Sequence, residues 1–583
     1  MKIPRLVGFL AAAVSPLFAA DPGFDRWIDA FSAEWMRANP TAATSTQYFT
    51  GAEQDVLDRQ LTPFTAEARA ARVARARRGL DSLAKFDRTA LDAGQRTSAA
   101  ILAWQLNEIA GAEPFNDHNF IFNQFGGLQV RLVNFLSQTH PIRNKRDIEN
   151  YLARLELVAG QMDEGVAQAK DAAARGFLMP DFITRSALGQ FDRFLAEAPA
   201  RNVLVASLDE RAAKLPEVPA VERAAWVAAA EKTVATAIIP AFQRARTLLQ
   251  EQLPLTNDHA GLCWLPGGEA AYANALRRNT TTDLTPQQVH EIGLKEVARI
   301  EGVMDGLLKQ LGYKNGSIKE RMAKLETDLQ PPAVPDPRPK LLARYEEILR
   351  DAEKRAALLF DLRPRAPCVV QREPAFTEKT AAAHYNAPAR DGSRPGTFWA
   401  PLPGPFEMTG MRTLVYHEAV PGHHFQIALQ QEMTSLPRFR QDRIFGGATA
   451  HTEGWALYAE NLAAESGWYE GDTVGRLGQL DDELFRARRL VVDTGLHAMK
   501  WTRQQAIDYG IKASEVERYV VNPGQACAYK IGQLKILELR AKAKAALGPK
   551  FDLKQFHNLV LQNGNVPLAV LAQEVDDWVA AKR

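Results

Sequence analysis

Most of this chain is patterned as helix, and very little of it as anything else. "AEARAARVARARRGLDSLAKF" from Ala66, "IENYLARLELVAGQMDEGVAQAKDAAARGF" from Ile148 and "VERAAWVAAAEKTVATAIIPAFQRARTLLQEQL" from Val221 consist largely of strong helix formers. Each returns an apolar residue every three or four positions. Helices of this kind carry one apolar stripe and must bury it against a neighbour. Thr285 and Pro286 supply an N-cap and a first-turn proline to a helix that Gly312 stops, and the proline-rich "LQPPAVPDPRPK" is a surface connection before helix resumes at Leu341. Strand-like sequence is confined to "CVVQREPAF" and "GTFWAPL". The expected fold is mainly α, a large helical body with a small β element. The loop-like "PLTNDHAGLCWLPGGEAAY" either divides that body into residues 21–260 and 261–583 or lies within one continuous body.

Charge narrows the range of partners. The 71 basic and 69 acidic residues nearly cancel, so no global field draws in nucleic acid or an anionic membrane, and small molecules or peptides are expected instead. The three cysteines, far apart in sequence, predict neither a disulfide framework nor a paired-cysteine metal knuckle. At the N-terminus Lys2 and Arg5 precede an apolar run from Leu6 to Phe18 and small residues at Ala19 and Ala20, the layout of a secretory signal over residues 1–20. That run is short for a membrane span, and no later segment reads as one. The chain is therefore expected to be exported, to the periplasm or beyond.

Five of the eleven histidines, at 417, 423, 424, 451 and 497, lie close together in sequence. Among them, "LVYHEAVPGHHFQIAL" begins like a helical metal site, with Glu418 directly after His417. Pro421, however, stands where a second histidine one turn later would fall. On an unbroken helix His423 would lie about 9 Å further along on a different face, and His424 about 10.5 Å further along on nearly the same face. Neither spacing lets two imidazoles meet on one ion. Pro421 cannot donate a backbone hydrogen bond and Gly422 permits unusual dihedrals, so a bulge in the helix is expected there, with His423 and His424 as alternative partners of His417.

Together with "DGSRPGTFWAPLPG" upstream and "HTEGWALYAE", "RLVVDTGLHAMKW" and "CAYKIGQLKILELR" downstream, this stretch resembles the bacterial proteins of domain of unknown function 885. That family is placed among zinc peptidases of the thermolysin-like clan. More remotely, the chain is similar to helical carboxypeptidases of the Taq type and oligopeptidases of the thimet type. The resemblance implies a zincin-like helical body with a deep cleft and one zinc ion. His417 and His423 would be ligands, with His424 as the alternative to His423. Glu453 would be the third ligand, in a segment that ends in Glu460-Asn461 as theirs ends in Glu-Asn, and His451 and Glu460 would support the ligands. Tyr529 resembles the tyrosine that donates to the oxyanion in the helical carboxypeptidases. "GTFWAPL" corresponds to an edge strand that pairs with substrate, offering Phe398 and Trp399, with Arg394 placed to meet a peptide carboxylate.

The chemistry is coherent on its own terms. Two neutral imidazoles and a carboxylate hold zinc with one position open, where bound water has a pKa near 7. Glu418 projects elsewhere than its neighbour His417 and is the expected general base. Arg489, Asp493 and His497 fall on one stripe of an otherwise apolar helix, with Asp493 expected to orient His497 toward substrate or toward the ligands. The expected function is a zinc-dependent metallopeptidase acting on short peptides. The same groups would serve a hydrolase of another amide or ester, and loss of metal through Pro421 would leave a catalytically dead helical binding protein.

Overall fold

Helices form where the three-to-four periodicity places them. The computed structural model describes residues 20–331, 334–374, 378, 382–389, 392 and 394–583; the expected signal segment, apart from Ala20, lies outside them. The first two segments become helices Ala66–Leu83 and Lys145–Ala174. The third runs from Ala220 to Thr233, widens into a π turn over Val234–Ile238, and continues as Ile239–Gln252. Pro240 has no N–H to give the preceding turn, and the wide turn lets the helix pass it. Thr285 and Gln288 form a reciprocal capping box on helix Pro286–Gln310, and Gly312 leaves it at φ +92°.

The stripes meet in cores that cross the expected boundary near residue 260. One core joins Phe24, Trp35 and Leu102 to Tyr416, Trp455 and Val575. A second joins Leu155 and Phe242 to Val492, Leu496 and Val520. Around the expected break the chain makes the short turns Leu253–Leu255 and Leu262–Trp264, and residues on both sides of them bury into the same interior. The described chain is thus mainly α and interleaved end to end.

The small β element has three strands, β1 (Cys368–Arg372), β2 (His384–Asn386) and β3 (Gly396–Ala400), in the order β1-β3-β2. β3 pairs with β1 in parallel and with β2 antiparallel, so Phe398 stands between Val370 and Tyr385. This corrects the expectation that β3 is an edge strand, because both its flanks are already paired. Phe398 is fully buried against Tyr345 and is a core residue.

Candidate metal centre

Helix Met411–Glu418 ends on the two residues that matter most, His417 and Glu418. Ala419 leaves helical geometry at φ −112°, ψ −96°, the Val420–Pro421 peptide is cis, and a new helix, His423–Glu432, starts after Gly422. The Val420 N–H still reaches back to Val415 O at 3.1 Å, and Trp455 Nε1–H donates to Pro421 O at 2.9 Å. Gly422 passes so close to the preceding helix that a Cβ there would lie 1.9 Å from His417 O, which only glycine avoids. The expected bulge in one helix is therefore a four-residue link, 419–422, between two helices.

That link turns His423 back onto His417, their ring centroids 4.8 Å apart and nearly perpendicular. Glu453, from helix Thr449–Glu465, completes the group: one donor atom from each of His417, His423 and Glu453 lies within 4.8 Å of the others. Glu453 Oε2 is 3.8 Å from His417 Nε2 and 3.5 Å from His423 Nε2. Two donors about 2.0–2.2 Å from a tetrahedral zinc stand roughly 3.3–3.6 Å apart, so the 3.5 Å spacing falls in that range and the 3.8 Å spacing just beyond it. On its other nitrogen, His417 Nδ1 lies 2.6 Å from Oε1 of the fully buried Glu460. Glu460 follows Glu453 by two turns, on the same face of one helix.

Burial dominates the electrostatics. It pushes His417 well below the usual histidine range and Glu460 well above the carboxylate range, each toward its neutral form. Burial also works against the charged forms of His423 and Glu453, but their mutual hydrogen bond and attraction outweigh it. The histidine goes up and the carboxyl down. Glu418 has no such hydrogen bond among the described residues, and burial, only partly offset by attraction to His423, raises it to about 7.

Glycines set how closely the next helix approaches. A Cβ on Gly454 would lie 2.4 Å from Gly532 C, and one on Gly532 would lie 1.9 Å from Ala450 O. Helices Thr449–Glu465 and Gln525–Leu547 therefore cross nearly backbone to backbone, one residue after Glu453 and three after Tyr529. The Tyr529 ring lies under the Arg489 guanidinium at 4.6 Å. Arg489 donates to Tyr519 Oη and Glu515 Oε2, both at 2.9 Å, while its buried Nη1 has no partner among the described residues. Arg486, one turn earlier on helix Thr473–Ala498, pairs with Asp482 and likewise keeps a buried, unpartnered Nε. Both guanidinium charges bear on His417 and Glu453. Sequence reasoning missed Arg486, which reads in "FRARRL" as one more surface cation.

The remaining expected site residues divide. His424 turns away from the cluster: its Nδ1 lies 2.9 Å from Tyr385 Oη, in space kept open by Gly396, and burial lowers it to about 4. The role expected of His497 needs correction, since both its nitrogens are committed to backbone. Nδ1 accepts from Leu262 N–H at 3.1 Å and Nε2 meets Tyr519 O at 3.0 Å, leaving nothing to offer a substrate. Nor does Asp493 orient it. Asp493 accepts from Tyr272 Oη at 2.6 Å and Gly524 N–H at 3.0 Å, tying down the start of the Tyr529 helix. His451 is buried with neither ring nitrogen bonded among the described residues, and burial pushes it to about 3. Trp399 is half-buried against His384, and Arg394 is exposed on the wall of a cavity.

The fold has relatives. The family described as bacterial protein of unknown function, DUF885, matches residues 40–575. A crystal structure from Colwellia psychrerythraea, provisionally described as a lipoprotein, is 31% identical, with 96% of this chain and 100% of that one covered at a TM-score of 0.87. A structure from Shewanella oneidensis, provisionally described as a lipoprotein of unknown function, shares the fold at 19% identity and a TM-score of 0.71, with 95% and 99% covered. No curated protein matches the chain. Matched over nearly its whole length, the chain belongs to the bacterial DUF885 family.

Proposed function

We propose that this protein is an exported zinc-dependent metallopeptidase that hydrolyses short peptides. The observation that carries this reading is the convergence of His417, His423 and Glu453 within 4.8 Å, with Glu418 buried beside them and raised to about 7. When bound, zinc supplies a Lewis acid that lowers the pKa of coordinated water to near 7. Glu418 is suited to take a proton from the attacking water and return it to the departing amine nitrogen as the C–N bond breaks, because its affinity for a proton lies close to neutrality. A cation at Nε2 would favour Glu460 as the carboxylate that accepts from His417 Nδ1–H, with Nε2 on the side of Glu453. Tyr529, its ring held under Arg489, is suited to donate its hydroxyl to the carbonyl oxygen as that oxygen gains charge. Export is supported by the lipoprotein descriptions of the two relatives, and among the described residues no helix is long and apolar enough to cross a membrane.

The test is elemental analysis of the purified chain together with hydrolysis of a short-peptide mixture. Stoichiometric zinc, loss of hydrolysis on chelation and its return with zinc are expected. Glu418→Gln should keep the metal and lose roughly 10²–10⁴-fold in turnover. A chain that takes up no zinc, or a Glu418→Gln variant with undiminished turnover, sinks the assignment.

A further inference from the structure

Helix His423–Glu432 leads from the candidate metal centre into a second space. On the stripe that begins with His423, Ile427 and Gln430 follow at four and seven residues, and both line a cavity of about 810 Å³. Its described wall carries four arginines, Arg143, Arg394, Arg438 and Arg443, against one acidic residue, Asp442. Arg143 is paired with Asp147 at 2.8 Å and Arg438 with Asp442 at 3.1 Å. Arg394 and Arg443 have no carboxylate within ion-pair distance among the described residues: Arg394 meets only Pro395 O, at 3.4 Å, and Arg443 donates to the neutral Gln430 Oε1 at 3.0 Å. Arg443 also marks the inner end, since its charge bears on Glu453, His423 and His451. It holds this place with its backbone at φ +51°, a conformation uncommon for a side chain of its size.

Two guanidinium groups with no carboxylate partner among the described residues, on the wall of a cavity reached along this helix from the candidate metal centre, are suited to an anion that arrives with a substrate. Guanidinium binds carboxylate in a planar, two-pronged fashion. The helix sets a length scale for that approach. From His423 to Gln430 the helix rises about 10 Å, and an extended peptide covers about 3.3–3.6 Å per residue. We infer that this cavity receives the C-terminal carboxylate of a peptide extending two or three residues beyond the cleaved bond, so that the enzyme releases dipeptides or tripeptides from free C-termini. The reference to a cleaved bond rests on the peptidase reading above.

Binding can be tested apart from turnover. Trialanine and trialanine amide, titrated calorimetrically into the full zinc-loaded chain, should differ, with the free acid binding roughly tenfold or more tightly. Arg394→Glu should abolish or reverse that preference, and Arg394→Lys should keep most of it; Arg394 is exposed, so neither change disturbs the core. Equal affinity for acid and amide, or no binding of either at millimolar concentration, overturns the inference even if peptides are hydrolysed. An acid preference lost in Arg394→Glu upholds the carboxylate site even if hydrolysis is never seen, in which case only the peptidase reading fails. An amidated peptide with an aspartate side chain that binds as tightly as the free acid overturns the assignment to the chain end.

Discussion

Glu460 Oε1 lies 2.6 Å from His417 Nδ1, with neither residue exposed enough for water to compete. The contact fixes both the ring orientation and the tautomer of a proposed ligand. Glu460→Gln keeps the shape but removes the charge that makes the imidazole a better donor. Zinc affinity should fall by roughly 10–100-fold, measured by competition with a chromogenic chelator. An unchanged affinity would show that Glu460 only fills space.

The two adjacent histidines should separate cleanly. His423→Ala removes one of three converging donors and should abolish stoichiometric zinc. His424→Ala should retain it, because its Nδ1 lies against Tyr385 on the sheet side. The second change should instead cost stability, on the order of 2 kcal/mol, for the cavity and the lost buried hydrogen bond. Zinc content and melting temperature of the two variants read this directly. Retained zinc in His423→Ala would remove that residue from the ligand set.

Much of this was legible in the sequence, and the parts that were not share a cause. The helices were legible because a three-to-four period is a local property, as the capping box at Thr285 and the stop at Gly312 show. Strand pairing is not local: "GTFWAPL" reads as a strand, but only its partners Cys368–Arg372 and His384–Asn386 make it central. The candidate metal cluster was legible as residue types, yet the choice between His423 and His424 depended on how Ala419 and Gly422 redirect the chain. The stripe Arg489, Asp493, His497 is buried as its apolar neighbours imply, but of the three only Arg489 bears on the cluster, and His497 is taken up by backbone. The backbone N–H that occupies His497 belongs to Leu262, 235 residues away, and no spacing rule reaches that far.

Tyr529→Phe tests whether oxyanion stabilisation is at work. The ring is held from above by Arg489 at 4.6 Å and would stay in place without its hydroxyl. A hydroxyl that meets developing charge should be worth roughly 10²–10³-fold in the chemical step, with zinc content and melting temperature little changed. The measurement is a single-turnover rate normalised to bound zinc. Equal rates would move this duty to Arg486 or Arg489, each with a buried nitrogen that has no partner among the described residues and a charge that bears on the same cluster.

Acid should unfold this protein through buried histidines, His140 above all. Arg154 Nη1 donates to its Nδ1 at 2.7 Å and its Nε2–H donates to Asp147 O at 3.1 Å, so the ring is neutral and fully engaged. Burial, helped by the charges of Arg154 and Arg211 and opposed by the bond to Asp147 O, lowers it from 6.5 to about 3. Burial likewise lowers His557 to about 4; its ring meets Tyr458 Oη at 2.8 Å and Leu359 O at 2.9 Å. Below pH 6.5 the unfolded chain binds protons that these folded rings refuse, so stability is full above that value. It drains away as pH falls toward the folded values, by roughly 1.4 kcal/mol per pH unit for each histidine. Urea unfolding at pH 7.5, 6.0 and 5.0 should show that decline, and His140→Gln should reduce proton uptake on unfolding between pH 4 and 6 by about one. If the variant takes up as many protons as the wild type, His140 is already charged in the folded state, and the Arg154 contact must be relieved by water.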